Sequence, residues 1–281
     1  MSSSIGRSVL KQRLITALVL GLSVLAAIFL LPPLGFALGV MMVVALGAWE
    51  WAGLAAITHP LLKTGYAALS VMALAGFYFW ADASMIGTLL LLTALAWAVV
   101  VVIIAVGQPP QEKQLLIRRW GLGAAGLVAL VPSGLALIIL QAIHPSWLLF
   151  LLLLTATADT AAYFTGKRFG RQPLAPHISP GKTREGLLGG LVGVAVLSLL
   201  GASWFGLELS IWFIFVCLCL ITALISVVGD LFESLLKRAA NAKDSGRLLP
   251  GHGGILDRID SLTAAAPVFL LGLLWAGIVA R

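Results

Sequence analysis

The chain has 281 residues, of which 60% are hydrophobic and only 10% are charged. Ordinary soluble domains carry about 25% charged residues, so this composition excludes a soluble globular protein. The formal net charge of +7 is divided among short segments between long uncharged stretches, which argues against a nucleic-acid-binding surface.

Long apolar runs are the main feature of the chain, and runs of about 20 residues match the hydrocarbon core of a bilayer. In lipid only helices and closed barrels satisfy the backbone hydrogen bonds. Because these runs are continuous and do not alternate, they predict helices and an all-α integral membrane protein. The nine expected spans are Leu14–Leu31, Leu34–Ile57, Gly65–Ala81, Met85–Val106, Leu122–Ile143, Ser146–Thr165, Gly186–Phe205, Ser210–Gly229 and Leu262–Ala280.

The basic residues predict the orientation of these spans. Nine spans place the N-terminus and the even-numbered loops on one side of the membrane, and that side receives every Lys and Arg except Arg281. Lys and Arg favour the cytoplasmic side, so the N-terminus and all the long loops are predicted to be cytosolic.

Residues 1–145 hold about five spans and few polar groups, whereas residues 146–281 hold about four spans and two charged cytosolic loops. This contrast predicts an N-terminal membrane region and a C-terminal catalytic region. Glu50 is the exception in the first region, since it lies within the second span. An ionisable residue in a membrane helix is a functional candidate, and a structural hydrogen bond is the alternative.

The first group of chemically informative residues follows the sixth span. Asp159 lies in an apolar helix, where a carboxylate is costly unless it meets a cation or a metal. The segment Ser179–Gly186 reads Ser-Pro-Gly-Lys-Thr-Arg-Glu-Gly and leads into a helix, a pattern that suits an anion. A Walker A loop is excluded because Pro176 stands where that motif requires Gly. We expect a basic loop that contacts phosphate, with a solvated basic loop as the alternative.

The segment Gly229–Asp260 is denser, with five acids and five bases. On a helix, Asp230, Glu233 and Lys237 share one face. Clustered carboxylates without Cys, and with a single His, suit a hard cation such as Mg²⁺, and the basic residues suit phosphates. The alternative is a charged loop held by internal salt bridges, such as Glu233 with Lys237.

The stretch Ser234–Asp260 resembles the signature of the phosphatidate cytidylyltransferases, also called CDP-diacylglycerol synthases. It reads S-x-LKR-x4-KD-x-G-x2-LP-x-HGGI-x-DRID, with no departure from the signature over 27 positions. The segment Asp159-x3-Tyr163-Phe164-x-Gly166 and the Ser179–Gly186 segment are also similar to family segments.

The resemblance implies that the CMP moiety of CTP is transferred to phosphatidate, giving CDP-diacylglycerol and pyrophosphate, with Mg²⁺ as cofactor and a second cation left open. It also implies a homodimer. The spans themselves predict a multi-pass protein in contact with membrane lipids, and the absence of an organelle-targeting segment leads us to expect a bacterial inner membrane. The expected catalytic residues are Asp230, Asp257, Lys237 and Asp260. The expected metal ligands are Asp230, Asp257, Asp159 and Glu233, with Asp260 assisting. The expected substrate-binding residues are Lys182, Thr183, Ser179, Arg238, Lys243, His252 and Arg258.

Two other functions remain open from the residues. A CTP-dependent kinase of a polyprenol or phytol would need similar groups, with a lipid alcohol as the acceptor. A transporter of anions or lipids would suit nine helices, with Glu50 and Asp159 lining a path. The transporter is less favoured because the charges gather at one face of the membrane and not at its midplane.

Overall fold

A computed structural model describes residues 16, 18–106, 115–246, 248 and 253–279, with the backbone alone for 106 and 115–120. The described part is helical, as predicted, and contains nine helices. They are α1 (Leu18–Leu30), α2 (Pro33–Leu54), α3 (Pro60–Trp80), α4 (Ala83–Val106), α5 (Leu115–Ile143), α6 (Pro145–Phe169), α7 (Arg184–Trp204), α8 (Leu209–Ala239) and α9 (Leu256–Trp275). The structure also contains a two-stranded antiparallel hairpin that was not predicted, formed by β1 (Pro173–Ala175) and β2 (Ser179–Thr183).

Eight of the described helices are long and apolar enough to cross a membrane, and α1 is shorter over its described length. Several helices extend beyond the apolar runs that predict them. Helix α8 continues to Ala239 and not only to Gly229, while α9 begins at Leu256 and not at Leu262. The physical reason is that charged residues end an apolar run without ending the helix, because Asp, Glu, Lys and Arg also fit a helix.

The length of α8 carries its charged end out of the hydrocarbon. Its 31 residues rise about 46 Å at 1.5 Å per residue, whereas the hydrocarbon core is about 30 Å thick. A helix of this length extends beyond the hydrocarbon core, and we expect its last turns to be the part outside, because they contain Asp230, Glu233 and Lys237.

The rotation of α8 is fixed by Phe232 on its opposite face. The Phe232 ring packs against Trp51 of α2 and Trp97 of α4, with ring centroids 6.1 and 5.7 Å away. Helix α9 lies against α2, α4, α5, α6 and α8, so helices on both sides of the predicted division at residue 145 contact it. The division itself stays a prediction.

Glycines allow two helix pairs to approach closely. In α7, a Cβ at Gly186 or at Gly190 would lie 2.8 Å from a carbonyl oxygen of α6, that of Ala162 or of Ala158. The small residues of Gly186–Gly193 therefore pack α7 against α6 of the same chain. In α8, a Cβ at Gly229 would lie 2.7 Å from the carbonyl oxygen of Asp260, so this glycine sets the spacing between α8 and α9.

Basic residues flank the helices at alternating ends along the chain. Lys63, Arg184 and Arg258 lie near the starts of α3, α7 and α9, whereas Lys167 and Lys237 lie near the ends of α6 and α8. A chain that crosses the bilayer in alternating directions brings all these ends to one side. Their assignment to the cytosol stays a prediction from the charge distribution.

We expect Gly190→Ala to destabilise the protein by roughly 1–3 kcal/mol, because the new methyl group would press on the backbone of α6. Gly87→Ala in α4 is the matched control, since a Cβ there has no atom within 4 Å, and alanine favours a helix over glycine. Thermal unfolding in detergent measures both variants. Equal midpoints for the two variants would contradict the close packing of α6 and α7.

Candidate active site

Three carboxylates from two helices converge at the end of α8. Asp230 and Glu233 belong to α8 and Asp260 belongs to α9, and one carboxylate oxygen from each lies within 4.8 Å of the others. The two α8 residues are three positions apart, so they share a helix face. Asp260 joins them because Gly229 allows the α9 backbone to lie directly against α8.

Glu233 is the most buried member of this acid cluster, defined as Asp230, Glu233 and Asp260. It is 2% exposed, and its Oε2 atom pairs with Lys237 one turn later. Its Oε1 atom has no hydrogen-bond partner in the described part of the chain. A buried carboxylate oxygen without a donor is costly. Together with Asp230 and Asp260, Glu233 offers a set of hard oxygen ligands that fits a divalent cation such as Mg²⁺.

Asp257 faces a different set of partners. Its Oδ1 atom accepts a hydrogen bond from Lys237 Nζ at 2.8 Å. Its Oδ2 atom accepts hydrogen bonds from the backbone amide of Gly254 at 2.7 Å and from the amide and hydroxyl of Ser245 at 3.0 and 2.9 Å. Both oxygens are engaged by protein donors, and the structure does not group Asp257 with the acid cluster.

The predicted basic loop forms a short hairpin that places Lys182 beside Asp230 of the acid cluster. Strand β2 contains Lys182, which forms an ion pair with Asp230, and ends at Thr183. The Thr183 hydroxyl accepts a hydrogen bond from the Gly186 amide at 3.1 Å and caps α7. Glu185 accepts hydrogen bonds from two backbone amides at the start of the hairpin. These contacts fix Lys182 relative to α7 and α8.

A cavity of about 590 Å³ opens beside Lys182, between α6, α7, α8 and the hairpin. Its polar wall comprises Asp159, Lys167, Lys182, Thr183 and Asp230. The structure therefore brings Asp159 of α6, which is distant in sequence, to the same space as Lys182 and Asp230. Tyr163 also lines this cavity and is 61% exposed, so the space reaches the outer surface of the helices.

The other predicted binding residues either do not line the cavity or lie outside the described residues. Arg238, Lys243 and Arg258 are exposed, and Ser179 lies in β2 opposite Ala175. His252 belongs to the segment 249–252, which lies outside the described residues.

Some residues that contact this site were not predicted to have a role there. Ser245 lies within the signature, where sequence reasoning gives it no role, and it donates two hydrogen bonds to Asp257. Lys167 lies in the last turn of α6 and lines the cavity; the available sequence signal is its position in a basic pair after an apolar run. Glu50, left open between function and structure, reaches the loop that precedes α9.

Comparison with known proteins agrees with the signature and extends the similarity to the N-terminal half. A model of the "Cytidylyltransferase family" matches residues 11–275. A phosphatidate cytidylyltransferase of Pseudomonas aeruginosa is 40% identical over 95% of this chain and 97% of its own length. One of Haemophilus influenzae is 37% identical over 92% of this chain and 97% of its own length. The predicted family is confirmed: the chain belongs to the cytidylyltransferase family.

Proposed function

We propose that this protein transfers the cytidylyl group of CTP to phosphatidate, giving CDP-diacylglycerol and pyrophosphate, at the charged end of α8. The observation that carries the proposal is the nearly full-length similarity to enzymes of that name. The acid cluster and the two lysines that form ion pairs with it support the proposal, because the reaction joins two polyanions.

Asp230, Glu233 and Asp260 would hold the divalent cation. Their oxygen ligands suit Mg²⁺, and the orphaned oxygen of Glu233 supports a cation there. When bound, the ion supplies positive charge that reduces phosphate repulsion and stabilises the leaving group. Asp159 lines the adjoining cavity and would assist from α6. We assign Asp257 to holding Lys237 and the loop, which departs from its expected role as a ligand.

In the reaction, an oxygen of the lipid phosphate forms a bond to the α-phosphorus of CTP. The bond between that phosphorus and the oxygen bridging to the β-phosphate breaks, and pyrophosphate leaves with the electron pair. A phosphate monoester is already anionic at neutral pH, so the chain need not supply a strong base. Lys182 and Lys237 would donate charge-assisted hydrogen bonds to phosphate oxygens, each held in direction by a carboxylate.

The cavity beside Lys182 would receive the lipid phosphate. Tyr163 of α6 and Leu187 of α7 line this cavity, and Tyr163 is 61% exposed, so largely apolar side chains border the space. A phosphate next to Lys182 and Lys167 would then leave its acyl chains in the bilayer. The exposed Arg238 and Lys243, at and after the end of α8, would contact the phosphates of CTP.

The same proposal includes an inner-membrane location, a cytosolic N-terminus and a homodimer. Bacterial relatives support the location, and the basic helix ends support the orientation. The stripe Gly186–Gly193 is used within one chain, so a dimer contact would require another surface.

We expect the purified protein to release pyrophosphate when given CTP, phosphatidate and Mg²⁺, and to stop when the metal is chelated. Label in the α-phosphate of CTP should appear in the lipid, and label in the γ-phosphate should appear in pyrophosphate. Label from the γ-phosphate in the lipid, with free CDP, would favour the lipid kinase. Flux across sealed vesicles without nucleotide consumption would favour the transporter.

Asp260→Asn should weaken Mn²⁺ binding by at least roughly tenfold, since even outer partners of metal ligands contribute that much. Electron paramagnetic resonance of free Mn²⁺ measures the affinity without turnover. Asp82→Asn is the control, because Asp82 accepts a hydrogen bond from the Met85 amide at 2.8 Å, at the start of α4. Unchanged affinity in Asp260→Asn would remove Asp260 from the metal site.

Lys182→Met should lower kcat/KM by roughly tenfold to a hundredfold, the loss expected for one charge-assisted hydrogen bond. Lys63→Met is the control. Lys63 also lies at a basic helix end, but its Nζ atom is 5.7 Å from the centroid of the Trp49 ring. Steady-state kinetics compare the two variants, and similar values for both would show that Lys182 has no specific role.

A further inference from the structure

The carboxylate of Glu50 connects α2 to the start of α9. Glu50 is 5% exposed, although its charge is costly to bury without donors. Its Oε1 atom accepts a hydrogen bond from the Ile255 amide at 3.1 Å, and its Oε2 atom accepts one from the Leu256 amide at 2.8 Å. The Ser245 hydroxyl lies 3.1 Å from the same Oε2 atom.

These contacts meet a specific need at the start of α9. The first amides of a helix lack intrahelical acceptors, and the N-terminus carries the positive end of the helix dipole. Ile255 precedes the helix and forms no capping bond through its side chain. Glu50 therefore supplies from a distant helix the negative charge and the acceptors that a local capping residue usually provides.

Two glycines, Gly246 and Gly254, leave space for the carboxylate of Glu50. A Cβ at Gly246 or at Gly254 would overlap the carboxylate of Glu50. Two backbone segments, one before and one after the undescribed residues 249–252, thus approach the same side chain. The contact is a closely fitted element and not an incidental surface interaction.

Ser245 continues this contact toward the acid cluster. Its amide and hydroxyl donate to Asp257 Oδ2, and Asp257 Oδ1 accepts from Lys237. Given the proposed function, we propose that Glu50 is a positioning residue for cytidylyl transfer. It fixes the start of α9 and Ser245, and through them the direction in which Asp257 holds Lys237.

The test compares Glu50→Gln with Gln141→Leu. Gln141 is also 5% exposed, but its side chain donates to backbone carbonyls of residues 28 and 31, away from the site. We expect Glu50→Gln to lower kcat roughly tenfold to a hundredfold, as a misplaced catalytic group does, with KM for CTP changed less than about threefold. Gln141→Leu should lower the unfolding midpoint and leave kcat unchanged.

A double-mutant cycle with Ser245→Ala tests the route of the effect. Because both residues act through Asp257, the double variant should have a kcat within about threefold of the more impaired single variant. Independent, additive losses would overturn the proposal, as would a kcat within about twofold of wild type in folded Glu50→Gln. Glu50→Asp, which keeps the charge but shortens its reach, replaces Glu50→Gln if that variant does not fold, with the same expected loss of kcat.

Hydrogen exchange separates this proposal from the proposed function. The amides of Ile255 and Leu256 should exchange faster in Glu50→Gln than in wild type, with or without substrate. An inactive wild-type protein would contradict the proposed function alone. Unchanged exchange at these two amides would contradict the role of Glu50, whatever reaction the wild-type protein catalyses.

Discussion

Repulsion among three carboxylates is the constraint on which this end of the molecule depends. Asp230, Glu233 and Asp260 place oxygens within 4.8 Å of one another, at a boundary where charges are screened less than in water. Two features of the structure counter this repulsion. Close packing of α8 on α9 at Gly229 brings the acids together, and the ion pairs of Lys182 and Lys237 offset their charge.

The membrane fold and the family could be predicted from sequence because both depend on local patterns. Continuous apolar runs indicate helices in any arrangement, and the signature identifies the family from contiguous residues. The face shared by Asp230, Glu233 and Lys237 follows from helical spacing alone, and the ion pair between Glu233 and Lys237 shows it. Helix ends were less predictable. An apolar run indicates which residues lie in lipid, but it does not indicate where the backbone hydrogen bonds of the helix end.

Contacts between residues far apart in the chain determine the side-chain partners that sequence patterns could not predict. Asp257 and Asp260 have the same chemistry three residues apart, and only the rotation of α9 against Gly229 directs Asp260 to the acid cluster and Asp257 to Lys237. The glycines of α7 pack on α6 of the same chain, a partner that their spacing alone does not identify. The partners of Glu50 lie about 200 residues away along the chain, so local spacing held no information about them.

The tight enclosure of the Glu50 carboxylate by Gly246 and Gly254 also constrains how such proteins diverge. Any side chain at either glycine would occupy the space that Glu50 fills, and a shorter residue at position 50 would leave the amides of α9 without their acceptor. Tolerated substitutions at these three sites should therefore be correlated among homologues. Helix α2, which contributes Glu50, would therefore be under selection together with the start of α9.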